Sequence, residues 1–170
     1  MSSTHRPTVV AGYDGSPAAL AAVERGIDRV GTTGHLVVVI AHQIPSDYAG
    51  ASYYQTMVDE SLGAANEILT ELGSSCERLA GVDWESDLVQ GPAGAAISRV
   101  AEARDADEIV IGTRGHGRFR GALGSVAMDV LHRAHCPVLI IPERMFDTSV
   151  RAQGTSAGRS GQPLATRGRH

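Results

Sequence analysis

Short apolar runs alternate along the chain with longer segments in which apolar positions recur every three or four residues. Most of the short runs are aliphatic and β-branched, as in LVVVIA at residues 36–41, which is typical of strands buried on both faces. The run VDWESDLV instead alternates apolar with polar residues and predicts a strand near the margin of a sheet. The five predicted strands are residues 8–13, 36–41, 82–89, 109–112 and 137–141.

Helical patterns fill the intervals between these strands. After the first strand, Ser16 can cap a helix and Pro17 suits the first turn, where a missing N–H costs nothing. Gly31 is expected to end this first helix, and Gly73 the second. The four predicted helices are residues 18–30, residues 52–72, a segment opened by Gly91-Pro92 that runs to Arg104, and residues 124–134.

Five strands separated by four helices predict an α/β fold. We expect a doubly wound, open, parallel five-stranded sheet with helices on both faces and right-handed crossovers. If the strand order is 3-2-1-4-5, the order reverses between strands one and four. Ligands of such sheets bind beyond the carboxyl ends of the strands at that reversal. Asp14 ends strand one and Gly112 ends strand four, so both are expected to face one crevice.

The chain of 170 residues has room for one domain and a tail. The domain is predicted at 7–143, after a short N-terminal segment at 1–6. Residues 144–170 are rich in Arg, Gly and Ser, and they are expected to be disordered.

Charge and composition exclude several classes of function. The net charge is −4, which offers no basic surface for nucleic acid or an anionic membrane. No apolar stretch is long enough to span a bilayer and no leader pattern opens the chain, so a soluble, cytoplasmic protein is expected. All 15 basic residues are arginines, and the absence of lysine excludes P-loop, kinase and Schiff-base mechanisms.

The segment IGTRGHGRFRGALGSV, residues 111–126, is a strand end, a glycine-studded loop and a helix start. Glycines let the backbone approach an anion closely, and the helix start offers unpaired N–H groups and the positive end of its dipole. Ser125 adds a hydroxyl donor. Arg114, Arg118 and Arg120 can contact phosphate oxygens. On these residues alone, a phosphate-binding loop and a solvated loop remain about equally open.

Four segments together resemble the universal stress protein family over about residues 6–142. They are VVAGYDGSPAA after the first strand, LVVVIA, DADEIVIGTRG, and GSVAMDVLHRAHCPVLIIP. The resemblance implies a Rossmann-like sheet of the adenine nucleotide alpha hydrolase type. It also implies that Asp14 contacts adenine or ribose, that the backbone at Ala41 contacts the base, and that residues of the glycine-rich loop hold phosphates. Motif chemistry and resemblance together give these predicted nucleotide-binding residues: Tyr13, Asp14, Ala41, Ile111, Gly112, Arg114, Gly115, Gly124, Ser125 and Val126.

The resemblance further implies a dimeric stress-response regulator that binds ATP, with or without Mg²⁺, and acts on a protein partner. Only eight residues separate Gly115 from Gly124, one fewer than is usual in the family's ATP-binding members. AMP and cyclic AMP therefore stay open as ligands. A slow ATP hydrolase and an interaction module without a nucleotide also stay open. No catalytic residue and no metal ligand set is predicted.

The last strand, residues 137–141, is apolar between two prolines. In the 3-2-1-4-5 order it lies at an edge of the sheet, and an apolar edge needs covering. Pairing with a second copy across a twofold axis would cover it, and the family resemblance favours the same homodimer.

Overall fold

The computed structural model describes residues 5–43, 51–113 and 123–142, with side chains described from residue 54 onward in the second range. Five strands and four α-helices alternate in these ranges. They are β1 (Thr8–Gly12), α1 (Pro17–Val30), β2 (His35–His42), α2 (Ala51–Ser75), β3 (Asp83–Gln90), α3 (Ala93–Ala103), β4 (Glu108–Gly112), α4 (Ser125–Arg133) and β5 (Val138–Ile141), with a 3-10 helix at Glu77–Gly81 between α2 and β3.

The strands form one parallel sheet in the order β3-β2-β1-β4-β5. β1 lies at the centre, where Val10 is in register with Val37 on one side and with Ile109 on the other. The predicted strand order is therefore confirmed, as is the marginal position of the alternating strand β3. The carboxyl ends of β1 and β4 are neighbours, which puts the reversal of strand order where the sequence placed it.

Both faces of the sheet are covered, so the central strands are apolar throughout. Alternate residues such as Val9 and Ala11 enter one core cluster with the buried residues of α1 and α2. Val10 and Val37 enter a second cluster with the buried residues of α3 and α4. Period-two alternation thus divides each central strand between two apolar layers.

The helix boundaries agree with the sequence at α1 and differ at α2. Ser16 caps α1 by accepting a hydrogen bond from the Ala19 N–H at 3.2 Å, with Pro17 in the first turn. Gly31 follows Val30 with a positive φ of 57°. Gly73 was wrongly expected to end α2, which continues to Ser75. Leu72 and Cys76 are both buried on either side of this glycine, and their burial stabilises the extra turn more than glycine disfavours it.

Two predicted features lie largely or wholly outside the described residues. They are the body of the glycine-rich loop, residues 114–122, and the tail from residue 143 onward. Within the described ranges, no helix is both long and apolar enough to cross a membrane.

Candidate functional site

The candidate site lies at the carboxyl edge of the sheet, where β1 and β4 end side by side. Two hydrogen bonds fix the turn after β1. The Tyr13 N–H donates to the Val39 carbonyl at 2.9 Å, and Asp14 Oδ1 accepts from the Ser16 N–H at 3.0 Å. Gly15 supplies the positive φ of 82° that this turn requires. The carboxylate of Asp14 is therefore fixed at the start of α1, in an exposed position.

Tyr13 lies in the turn, but its side chain belongs to the core. The residue is 6% exposed and packs in the cluster shared with α1 and α2. Burial, followed by the charge of Glu71, raises the pKa of its phenol above the usual value. The phenol is thus neutral at physiological pH, and a ligand at this edge would meet the backbone of Tyr13 rather than the ring.

β4 ends in close contact with the first turn of α1. A Cβ on Gly112 would lie 2.9 Å from the Cβ of Ala18 and 3.0 Å from its carbonyl carbon, so only glycine fits there. The neighbouring Ile111 is 3% exposed, with its side chain in the second core cluster. What these two residues present to the crevice is therefore backbone.

The residues on either side of the glycine-rich loop are hydrogen-bonded to each other at the end of β4. The Gly124 N–H donates to the Thr113 carbonyl at 2.8 Å, and the Thr113 N–H donates to the Ile141 carbonyl at 2.8 Å. Thr113 and Gly124 therefore meet at the carboxyl end of β4. Arg114 and Gly115, both predicted site residues, lie outside the described residues.

α4 begins at this junction without a capping side chain. Gly124 occupies the cap position with an extended backbone and no side-chain hydrogen bond, whereas α1 is capped by Ser16. The first amides of a helix that lack a side-chain cap are available to an external acceptor, and the helix dipole favours an anion there. Ser125 and Val126, the next two predicted residues, lie in this first turn.

Ala41 lies two residues beyond Val39, which is in register with Gly12. This places the Ala41 backbone beside the turn that holds Asp14. The next residue, His42, accepts a hydrogen bond from the Gly91 N–H at 2.9 Å through its carbonyl. Its ring Nδ1 lies 3.2 Å from Ser61 Oγ.

The structure brings together Asp14 and the backbones of Ala41, Gly112 and Gly124 at one edge. Sequence reasoning missed Ser61 as a neighbour of this edge. The sequence held one signal for it: the second helical pattern is longer than the strand that the helix covers, so part of the helix must extend past the end of that strand. Without the sheet, the point at which that helix passes the strand end could not be located.

Comparison with known proteins identifies a family. The family model for the universal stress protein family matches residues 5–142. Universal stress protein Rv2624c of Mycobacterium tuberculosis is 34% identical over 145 residues, which cover 81% of this chain and 49% of that protein. The chain therefore spans about half the length of the first curated relatives that it matches. A universal stress protein of Thermus aquaticus is 34% identical over 137 residues, covering 79% of this chain and 97% of its own length.

Solved structures agree on the fold. The universal stress protein UspA from Lactobacillus plantarum superposes with a TM-score of 0.69 at 20% identity, covering 81% of this chain and 99% of its own. A universal stress protein crystallised in complex with cAMP superposes with a TM-score of 0.59 at 30% identity, covering 79% of this chain and 96% of its own.

Proposed function

The chain belongs to the universal stress protein family, and on that premise we propose that it binds an adenine nucleotide at the carboxyl edge of its sheet. The bound nucleotide would control its contacts with a protein partner in the cytoplasm. ATP, with or without Mg²⁺, is the first candidate ligand. Cyclic AMP or AMP is the second, and it is favoured by the cAMP complex of a family member 30% identical to this chain and by the short loop.

The observation that carries the proposal is the junction of Thr113 and Gly124 at the uncapped start of α4. The first-turn amides of α4 lie next to this junction, and no side chain caps them. Ser125 contributes a hydroxyl to that turn. These groups are all donors, and converging backbone donors at a helix start suit phosphate oxygens. We assign the phosphates to Gly115, Gly124, Ser125 and Val126, with Arg114 adding charge.

The nucleoside is assigned to the adjacent strand ends. Asp14 can accept a hydrogen bond from a ribose hydroxyl or from the amine of adenine. The backbone at Ala41 lies beside it and would contact the base, while Ile111 and Gly112 would line the nucleoside through their backbones, as Tyr13 would. Asp14 is therefore the residue on which recognition of the sugar or base depends most.

The dimer is assigned to β5. Its residues Val138, Leu139 and Ile140 are only half-buried in a single chain. On α4, Met128 and Leu131 are 42% and 43% exposed and lie three residues apart on one side of the helix. An apolar edge strand beside exposed apolar side chains suits a second copy of the chain. Two sites would then be joined through the strand that also anchors Thr113.

The test measures the binding of ATP, ADP, AMP and cyclic AMP, with and without Mg²⁺, by calorimetry and by the shift of the thermal unfolding temperature. A ligand at 100 times its Kd adds about 2.7 kcal/mol to the free energy of unfolding. Ser125→Glu should abolish binding, because a carboxylate in the first turn of α4 repels phosphate. The same charge favours the helix itself through its dipole, so the variant should fold.

Ser74→Glu, an exposed serine near the end of α2, is the control with the same change of charge. Retention of binding in Ser125→Glu would reject the phosphate assignment. If no adenylate binds the unmodified chain, the nucleotide proposal fails and an interaction module remains. ATP turnover that requires Mg²⁺ and is lost in Asp14→Asn would establish the slow hydrolase instead.

A further inference from the structure

α2 is too long for the strand that it covers. It has 25 residues, about 37 Å of helix, whereas β2 has eight, about 26 Å of strand. Ser75 ends the helix, and the chain then passes through the 3-10 helix to β3, which begins opposite His35 at the amino end of β2. The excess length of α2 is therefore at its start, and it projects past the carboxyl edge where the candidate site lies.

The projecting part of α2 has little of the packing that holds the rest. Ala65 and Leu72 are buried, and Ile68 and Leu69 pack against the same core cluster. From residue 54 to residue 64, the described side chains are exposed or half-buried, and none is buried. Segments with few buried contacts open locally at low free-energy cost. The stability of the first half of α2 therefore depends on whatever else holds it to the sheet.

Ser61 bonds the helix to the end of the strand. Its hydroxyl lies 3.2 Å from His42 Nδ1 and 3.5 Å from the Gln43 carbonyl, to which it donates. A serine hydroxyl has one proton, so the ring of His42 is assigned the tautomer that donates from Nδ1. The His42 carbonyl is fixed in turn by the Gly91 N–H. This tether, defined as His42, Ser61 and Gln43, starts at the residue next to Ala41.

We propose that His42 and Ser61 are positioning residues of the nucleotide site, and that occupancy of the base subsite at Ala41 stabilises residues 54–60 of α2 through the tether. The inference rests on the nucleotide proposal above. A base held by the Ala41 backbone restricts the next two residues, and these carry both partners of Ser61. The projecting helix is then the part of the surface whose order reports whether the site is filled.

Hydrogen exchange of the amides at 54–60 measures this coupling directly. In the unmodified chain, saturating ATP or cyclic AMP should slow exchange there by about fivefold or more, within the usual range for coupled sites. Ser61→Ala and His42→Ala should remove this slowing. His42→Asn should retain it, because the asparagine amide can donate from nearly the position of Nδ1. Ser74→Ala, an exposed serine on the same helix whose hydroxyl bonds to the Glu71 carbonyl, should also retain it.

Coupling is reciprocal. The factor by which nucleotide slows exchange at 54–60 in the unmodified chain, and no longer does in Ser61→Ala, should therefore equal the factor by which Ser61→Ala weakens nucleotide binding. A serine with only a structural role would speed exchange equally with and without ligand and leave affinity unchanged, and that result would overturn the proposal. Tight binding to the unmodified chain with no change of exchange at 54–60 would overturn the coupling alone. Absence of binding would overturn both the coupling and the nucleotide function.

Discussion

The two edges of the sheet differ in what they offer to another strand. Along β3, Asp83, Glu85 and Asp87 lie on one side, and each is paired with a cation. Arg6 and His35 contact Asp83, with His35 Nδ1 at 3.0 Å. Arg104, at the end of α3, contacts both Glu85 and Asp87. The opposite face of β3 carries Trp84, Ser86, Leu88 and Gln90, so the carboxylates are confined to one face of the strand.

β5 carries no charged residue at all. It reads VLII between Pro137 and Pro142, and three of its four residues are only half-buried. Charges on an edge strand oppose the addition of a further strand, and an apolar edge invites it. The contrast favours strand addition at β5 over strand addition at β3. If the proposed dimer forms through β5, the β3 charges would oppose further addition and favour a closed pair over an open series.

The largest effect is expected from a charge on β5. Leu139→Lys would place an ammonium group in the proposed interface, and an unpaired charge buried there costs about 3 kcal/mol or more, which is about a hundredfold or more in the dimer dissociation constant. Analytical ultracentrifugation over a range of concentrations measures it. Leu88→Lys is the matched control on β3, since Leu88 is also half-buried against the same core cluster. Equal effects of the two lysines on association would contradict the assignment of β5.

A smaller effect is expected when β3 is made to resemble β5. Replacing Asp83, Glu85 and Asp87 together by valine removes the charges that oppose strand addition, so the chain would have two apolar edges and could associate without closure. Light scattering at rising protein concentration should detect species larger than a dimer. A variant with alanine at the exposed Glu60, Glu67 and Glu77 loses the same charge away from the edge. If that control associates as strongly, net charge rather than edge chemistry is the cause.

The edges also show how far the sequence predicts this fold. The alternation in VDWESDLV predicted that β3 lies at the margin. The apolar run PVLII together with the predicted strand order 3-2-1-4-5 predicted an apolar edge at β5. The partners of the β3 carboxylates could not be predicted. Arg6 and Arg104 are distant from them in sequence, and only the register of β2 with β3 and the position of the end of α3 bring them together.

At the candidate site, the sequence predicts which residues lie at the strand ends better than it predicts whether each one turns its side chain or its backbone toward the crevice. Asp14 and Gly112 were placed correctly at neighbouring strand ends. That Tyr13 and Ile111 turn their side chains into the core follows from packing on the two faces, which a motif does not encode. The tether at Ser61 depends on how far α2 projects, a property of the assembled layers.

The smallest effect concerns Cys136, two residues before β5. Burial raises the pKa of its thiol, and the nearby charge of Asp107 raises it further. The neutral thiol is therefore favoured in the folded chain, so this group contributes stability below the pKa of an unfolded thiol, about 8.5, and loses it as pH rises through the higher folded value. Alkylation at pH 8, followed at Cys136 by mass spectrometry, should be slower than for a free thiol.

If β5 is the paired edge, alkylation of Cys136 should also accelerate modestly in Leu139→Lys, because the neighbouring strand is then uncovered, and stay unchanged in Leu88→Lys. Cys76, which is 3% exposed, provides an internal reference that neither variant should alter. The comparison is made at a concentration where Leu139→Lys is monomeric and Leu88→Lys is dimeric. Equal rates of Cys136 alkylation in the two variants would show that β5 is uncovered in the dimer. The apolar edge would then need a different partner from a second copy of the chain.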